Sequence, residues 1–427
     1  MITVLKNGLV ITMDEKRNKP IEKLDVVIKD DTIIALEENY SGKYDKLIDA
    51  TNKVIMPGLI NCHAHLGMSI FRCTNDSLSL MDWLNKKIWP IENNMTDEDI
   101  YYTTLLSCIE MIKTGTTTSA DHYFGKYTIN AVKETKIRNV FTRCLMDSDG
   151  NGDERINEFI ELYDKNKDNS PLITFSVSPH SLYTCSKDYL EKIQKLASKY
   201  NLPIHMHFSE NLDEIQTVKN TYNLKPAYVL DKLNFFKNKL VLAHGVFIDD
   251  DEIELLKDKN ISIVHNPISN LNLGCGFAPI SKYIKNNINV CIGTDGQGSG
   301  NSLNMFEHIR YVDMLQKALF KAPTIMNSYD VLKMATINGA KAFNLDDKIG
   351  SIEVSKKADI IVLNLDNIEI CPVNDIISQI VHGISFNNVD TTIINGNILM
   401  QNQKLLLDID ETILRQKIEE IVKRLNI

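Results

Sequence analysis

Val54-Ile55-Met56-Pro57-Gly58-Leu59-Ile60-Asn61-Cys62-His63-Ala64-His65 is an apolar run that ends in two histidines one residue apart. The run reads as a buried β-strand. A strand alternates its faces, so residues two apart point the same way. Two imidazoles on one face at a strand end can hold one metal ion. If these do, the rest of the chain must supply further ligands, a base and a pocket.

Outward from this run, the chain has two textures. Before it, Leu9–Met13, Val26–Lys29 and Thr32–Leu36 are short Val/Ile-rich strands, with Asn7-Gly8 and Asp30-Asp31 as turns. Similar texture returns near the other end, in 358–363 and in Thr391–Ile394 with its turn Asn395-Gly396. Between them, from Pro57 to Leu345, short apolar strands alternate with amphipathic helices. The spacing predicts strands at Leu59–Cys62, Thr117–Ala120, Val140–Leu145, Ile173–Val177, Pro203–Met206, Leu240–Ala243, Ile261–Val264 and Val290–Gly293. It predicts helices such as Ile100–Lys113, Lys187–Tyr200, Asp250–Leu256 and Tyr329–Ala335, and a surface helix over Asp410–Leu425. Such alternation predicts an α/β fold, a TIM-like (β/α)8 barrel.

Composition excludes several classes. A net charge of -9 argues against nucleic acid or an anionic membrane as partner. No apolar run is long enough to span a bilayer, and the first residues lack a signal-peptide layout. The 8 cysteines form no CxxC pair and mostly sit in apolar runs, as expected of reduced thiols in a cytoplasmic protein. Assembly into a homo-oligomer is left open.

In a barrel of this kind the active site lies at the C-terminal ends of the strands. Those ends carry His63 and His65, His180, His207, His244, His265 and Asp295, a large share of the 10 histidines in the chain. A lone histidine there is usually an ordinary hydrogen-bonding residue, and His122, His205, His308 and His382 are read that way. The joint pattern points to a metal. Imidazoles and a carboxylate suit one divalent ion, Zn²⁺ ahead of Fe²⁺, with an open position for water. The fourth strand region, Ile173–His180, has no lysine or carboxylate to bridge a second ion, which favours a mononuclear site. Glu210, just beyond His207, is either a surface acid opening a helix or a proton carrier beside the metal.

These stretches resemble the amidohydrolase superfamily. Pro57–His65 is similar to its first-strand signature. His207-Phe208-Ser209-Glu210, Ala243-His244-Gly245, His265-Asn266-Pro267-Ile268-Ser269-Asn270 and Gly293-Thr294-Asp295-Gly296 resemble its branch of aminohydrolases and triazine chlorohydrolases, above all the 5'-methylthioadenosine/S-adenosylhomocysteine deaminases. The resemblance covers essentially the whole chain. It implies a barrel over residues 57–348 and a composite β-sandwich built from residues 1–56 and 349–427. It implies His63, His65, His207 and Asp295 as metal ligands. His244 would hydrogen-bond the water on the metal, and Glu210 would shuttle protons.

Substrate residues are implied too. Pro90-Ile91-Glu92 resembles the segment whose Glu binds the ribose hydroxyls. Thr142-Arg143 and Glu154-Arg155 resemble the arginines that grip an amino-acid carboxylate. Ser178-Pro179-His180-Ser181 resembles the segment whose His contacts the purine. The reaction implied is hydrolytic loss of the 6-amino group from a small nucleoside: S-adenosylhomocysteine, 5'-methylthioadenosine, adenosine or 5'-deoxyadenosine. Paired arginines favour the first, because guanidinium matches carboxylate. The alternatives are a related hydrolase of guanine, cytosine or a triazine, which Glu92 argues against, and a scaffold that has lost catalysis. The unrelated zinc deaminases need H-x-E and P-C-x-x-C signatures, which this chain lacks.

Overall fold

The computed structural model describes residues 1–74, 78, 80–123 and 127–427. Two four-stranded parallel sheets carry the site. The first contains β1 (Leu59–Ala64), β2 (Thr116–Asp121), β3 (Arg138–Phe141) and β4 (Ile173–Phe175), paired in that order. The second contains β5 (Ile204–Phe208), β6 (Leu240–His244), β7 (Ile261–His265) and β8 (Asn289–Ile292). Backbone hydrogen bonds cross between the sheets at both junctions. Val177 bridges to Ile204, and the Thr294 and Asp295 N–H groups donate to the His63 carbonyl at 3.1 and 2.9 Å.

Parallel neighbours need long crossovers, and helices supply them. Asp97–Lys113 starts on a capping box between Thr96 and Asp99, with Asp97 and Glu98 also in its first turn and Lys113 in its last. This charge order suits the helix dipole. Lys187–Tyr200 is capped by Ser186 and stops where Asn201 turns left-handed. Its buried Leu190, Ile193 and Ala197 repeat at helical spacing and pack on the main core with Ile204, Met206 and Phe208 of β5. The alternation of β5 therefore leaves His205 and His207 together on its other face.

Two sheets come from the chain ends. One has the order Thr32–Glu37, Asp25–Lys29, Ile2–Lys6, Lys46–Asp49. The other has seven strands and mixes both ends: Lys53–Pro57 pairs antiparallel with Ile360–Asn364. Val26, Ile28 and Ile33 of the first share one buried cluster with Ile55, Ile360, Val362 and Ile393 of the second.

Some expected strands are shorter or broken. Leu9–Met13 keeps only Leu9–Val10 in register. Val140–Leu145 splits at Thr142-Arg143 into β3 and Cys144–Leu145, and at the break the Arg143 side chain turns to Glu158, its Nε donating at 2.8 Å. Strand β4 breaks at the matching level, and pairing resumes as Cys144 with Ser178 and Leu145 with Pro179. Among the described residues, no helix is long and apolar enough to cross a membrane.

A buried ion pair ties β3 to the C-terminal sheet. Arg138 Nε and Nη2 donate to the Asp359 carboxylate at 2.7 and 3.0 Å, and the Asn395 N–H donates to Asp359 Oδ1 at 2.8 Å. Removing one partner strands a buried charge. Arg138→Met should lower unfolding free energy by about 3–5 kcal/mol, read as the urea midpoint. Arg138→Met with Asp359→Leu should recover much of the loss. A single variant as stable as the parent would show that the pair holds nothing together.

Candidate metal centre and adjoining cavities

Sharp backbone turns aim the site residues. Ser209, His244 and Asp295, at the ends of β5, β6 and β8, all have positive φ, at 50, 77 and 62°. Side chains pay strain there, and such strain concentrates at functional sites. Gly293 permits close approach of β8 to β1. A Cβ on it would lie 2.4 Å from Asn266 Oδ1 and 2.8 Å from the His63 Cβ.

One side-chain atom from each of His63, His65, His207 and Asp295 lies within 4.8 Å of the others. Asp295 Oδ1 is 2.9 Å from His65 Nε2 and 3.4 Å from His63 Nε2, and the Nε2 atoms of His65 and His207 are 3.3 Å apart. The other carboxylate oxygen, Oδ2, accepts hydrogen bonds from Ser269 Oγ at 2.6 Å and Ser299 Oγ at 2.8 Å. Outer partners orient the rings as well. His207 Nδ1 donates to the His180 carbonyl at 2.9 Å, which leaves Nε2 with its lone pair. His63 Nδ1 meets His205 Nε2 at 2.9 Å.

The residues fit a divalent cation. His63 Nε2 is buried without a hydrogen-bond partner, a costly state unless something else takes the lone pair. Burial pushes the His63 pKa down to about 4, against the pull of Asp295. Burial also drives His205 and His207 well down, with neighbouring imidazoles adding to it. Neutral imidazole is the form that binds metal. For His65 burial works downward, but the Asp295 contact prevails and raises it. For Asp295 burial works upward, but His63 and His65 hold the carboxyl well below its usual range.

His244 and Glu210 flank this cluster. His244 Nδ1 donates to Asn270 Oδ1 at 2.8 Å and lies 3.7 Å from Glu210 Oε1. Burial raises the Glu210 pKa, against the lowering effect of His244. The Glu214 carboxylate accepts the N–H groups of Ser209 and Glu210 at 3.0 and 2.8 Å, and so fixes the turn that presents Glu210.

Two cavities adjoin. The first, about 70 Å³, is lined by His65, His207, His244, Asp295, Glu210 and His180. His180 Nδ1 is 2.9 Å from Thr184 Oγ1. The second, about 430 Å³, is lined by Arg143, Arg155, Asp149, Met146, Ser148 and Thr184. Trp89, Glu92 and Tyr123 line both. At this junction the Tyr123 hydroxyl donates to Glu92 Oε1 at 2.8 Å, and burial raises the Glu92 pKa to about 7. The residues singled out in the sequence thus lie along one path. Arg143 and Arg155, however, stand in the second cavity already paired with acids of this chain.

His265 is buried and is not among the residues named along either cavity, while Ser269 and Asn270 of the same motif do the orienting. In the sequence His207 is better placed than His205 for the ligand position, and the contact of His205 with His63 shows only in the fold. The spacing of His205 from His207, one residue apart on a strand, was the available signal. His122 is buried, lines the first cavity, and packs 4.5 Å from the His207 ring centroid.

Outer-shell histidine partners typically change metal affinity by about 10–100-fold. His205→Phe should weaken metal binding by that order, measured as metal retained against a chelator series. Unchanged retention would mean the His63–His205 bond does not support the site.

Comparison with known proteins supports a divalent metal here. Residues 54–399 match the amidohydrolase family. A 5-methylthioadenosine/S-adenosylhomocysteine deaminase of Thermoanaerobacter pseudethanolicus is 41% identical over 95% of this chain and 95% of its own. A 5'-deoxyadenosine deaminase of Methanocaldococcus jannaschii is 43% identical over 88% of this chain and 90% of its own. Among solved structures, an adenosine deaminase from Xanthomonas campestris with bound zinc superposes with a TM-score of 0.95 at 29% identity, covering 99% of this chain and 98% of that one.

Proposed function

The chain belongs to the amidohydrolase family, and we propose that it hydrolyses the 6-amino group of 5'-substituted adenosines, 5'-methylthioadenosine and S-adenosylhomocysteine among them, to the inosine analogue and ammonia. It is a hydrolase of C–N bonds in cyclic amidines. The family and its solved neighbours imply a TIM-barrel fold. In our reading a (β/α)8 barrel spans residues 57–348, and residues 1–56 and 349–427 form one β-sandwich beside it. The observation that carries the substrate reading is the junction at Glu92. It separates a narrow, metal-ligand-lined cavity, fit for a flat base, from a wider one fit for a 5'-tail, with a carboxyl group between them for ribose hydroxyls.

A divalent cation held by His63, His65, His207 and Asp295 would supply the acidity that makes water a nucleophile at neutral pH. The imidazole and carboxylate donors favour Zn²⁺, with Fe²⁺ the alternative. Free cysteines support a reducing, cytoplasmic setting. The chain's own groups handle protons. Asp295, its second oxygen pinned by two serines, takes a proton from the attacking water, and His244 orients that water. Glu210, whose pKa burial raises, donates to N1 as negative charge builds there. Asp295 then protonates the amino group, the C6–N bond breaks, and ammonia leaves. The remaining hydroxyl proton returns to Glu210, so the carboxyl groups end as they began. His180 borders the base, Glu92 the ribose, and Arg143 and Arg155 the 5'-tail.

A guanine, cytosine or triazine substrate would leave Glu92 and the arginine cavity unused. An inactive scaffold has no need of a filled ligand set with Glu210 beside it.

Glu210→Gln keeps shape but loses the proton. Its turnover of 5'-methylthioadenosine should fall by about 10²–10⁴-fold with bound metal unchanged, followed by ammonia release and metal analysis. Near-full activity would exclude the proton role. Glu92→Ala should raise KM for each of these nucleosides about tenfold, the loss of a charged hydrogen bond, while metal content stays constant.

A further inference from the structure

Arg155 is held by its own neighbourhood. Nη1 donates to Asp149 Oδ1 at 2.6 Å and to the Met146 carbonyl at 2.7 Å, while Nη2 donates to Asp149 Oδ2. This is the two-pronged geometry in which arginine binds a carboxylate. Asp149 is itself held in place. It precedes Gly150, whose φ of 84° closes a turn onto the Asp147 carbonyl, and it accepts the Asn151 N–H at 3.2 Å. Arg143 shows the same pattern, its Nε on Glu158 and its Nη1 on the Cys144 carbonyl. The second cavity thus holds guanidinium groups whose charge is already balanced.

We propose that Asp149 is a specificity-determining residue that occupies the carboxylate position on Arg155 and so favours adenosines with a short, uncharged 5'-substituent over those ending in a carboxylate. This rests on the reading of the chain as a deaminase of 5'-substituted adenosines. A substrate carboxylate must displace Asp149 or lie beside it as a like charge, whereas a 5'-methyl or methylthio group needs neither. The Asp149 side chain is 40% exposed, against 10% for Arg155. Water can therefore solvate the Asp149 carboxylate if a substrate carboxylate displaces it from Arg155, so S-adenosylhomocysteine is accepted but disfavoured.

The test compares kcat/KM for S-adenosylhomocysteine and 5'-deoxyadenosine, by ammonia release, in the metal-loaded parent and in Asp149→Asn. The parent should favour 5'-deoxyadenosine. The variant should move the ratio toward S-adenosylhomocysteine by about tenfold, the size of one charged contact, and chiefly through KM. A merely structural Asp149 would lower kcat on both substrates and leave the ratio still, and that result overturns the proposal. A ratio moving the other way also overturns it, since Asp149 would then be receiving the substrate ammonium. A second measurement needs no variant: the parent is given 5'-(2-carboxyethylthio)-5'-deoxyadenosine and its carboxamide. The amide should be the better substrate by about the same factor. Equal rates, or a preference for the acid, refute the role of Asp149. Loss of all these deaminations in the parent would instead overturn the substrate reading itself.

Discussion

The centre of this protein is a set of imidazoles buried against one another. The rings of His63, His65, His122 and His207 lie at centroid distances of 4.5 to 5.6 Å. Charging several of them together in a dry site would be prohibitive. Burial therefore draws His63, His122 and His207 toward the neutral form, while Asp295 draws His65 the other way. One carboxylate, Asp295, supplies the opposite charge, and a cation reconciles the whole. The turns that aim Ser209, His244 and Asp295, and the close approach at Gly293, serve that convergence.

The surrounding carboxyl groups divide into two kinds. Asp295 faces imidazoles and hydroxyl donors and is held ionised. Glu92, Asp121 and Glu210 are raised by burial, the first two to about 7. Environments that push like groups apart are how one site assigns a base and an acid. In the proposed mechanism Asp295, within reach of the metal position, is the base, and Glu210, set back beside His244, is the acid.

Much of this was legible in the chain. His63-Ala64-His65, His207, His244 and Asp295 each close an apolar strand, and strand ends at one face must meet if the strands run parallel. Strand β5 and the helices Lys187–Tyr200 and Asp250–Leu256 follow from local periodicity and caps. The breaks in β3 and β4 do not, because they fall at matching levels of two strands that pair across the fold. His205 was opaque for a similar reason: its partner, His63, lies 142 residues away.

The arginines mark the boundary most sharply. Residue type and resemblance to the family implied Arg143 and Arg155 as cations facing a ligand. They could not reveal that Glu158 and Asp149 already hold them, because charge balance depends on which side chains the fold brings within hydrogen-bond reach. The sequence by itself determined the inventory of groups and the strand ends that bear them, since both follow from covalent order and short-range periodicity. The tertiary structure alone decided which lone pairs are left for a cation, which carboxyl groups burial raises and which guanidinium groups are already paired. Those are properties of burial and distance.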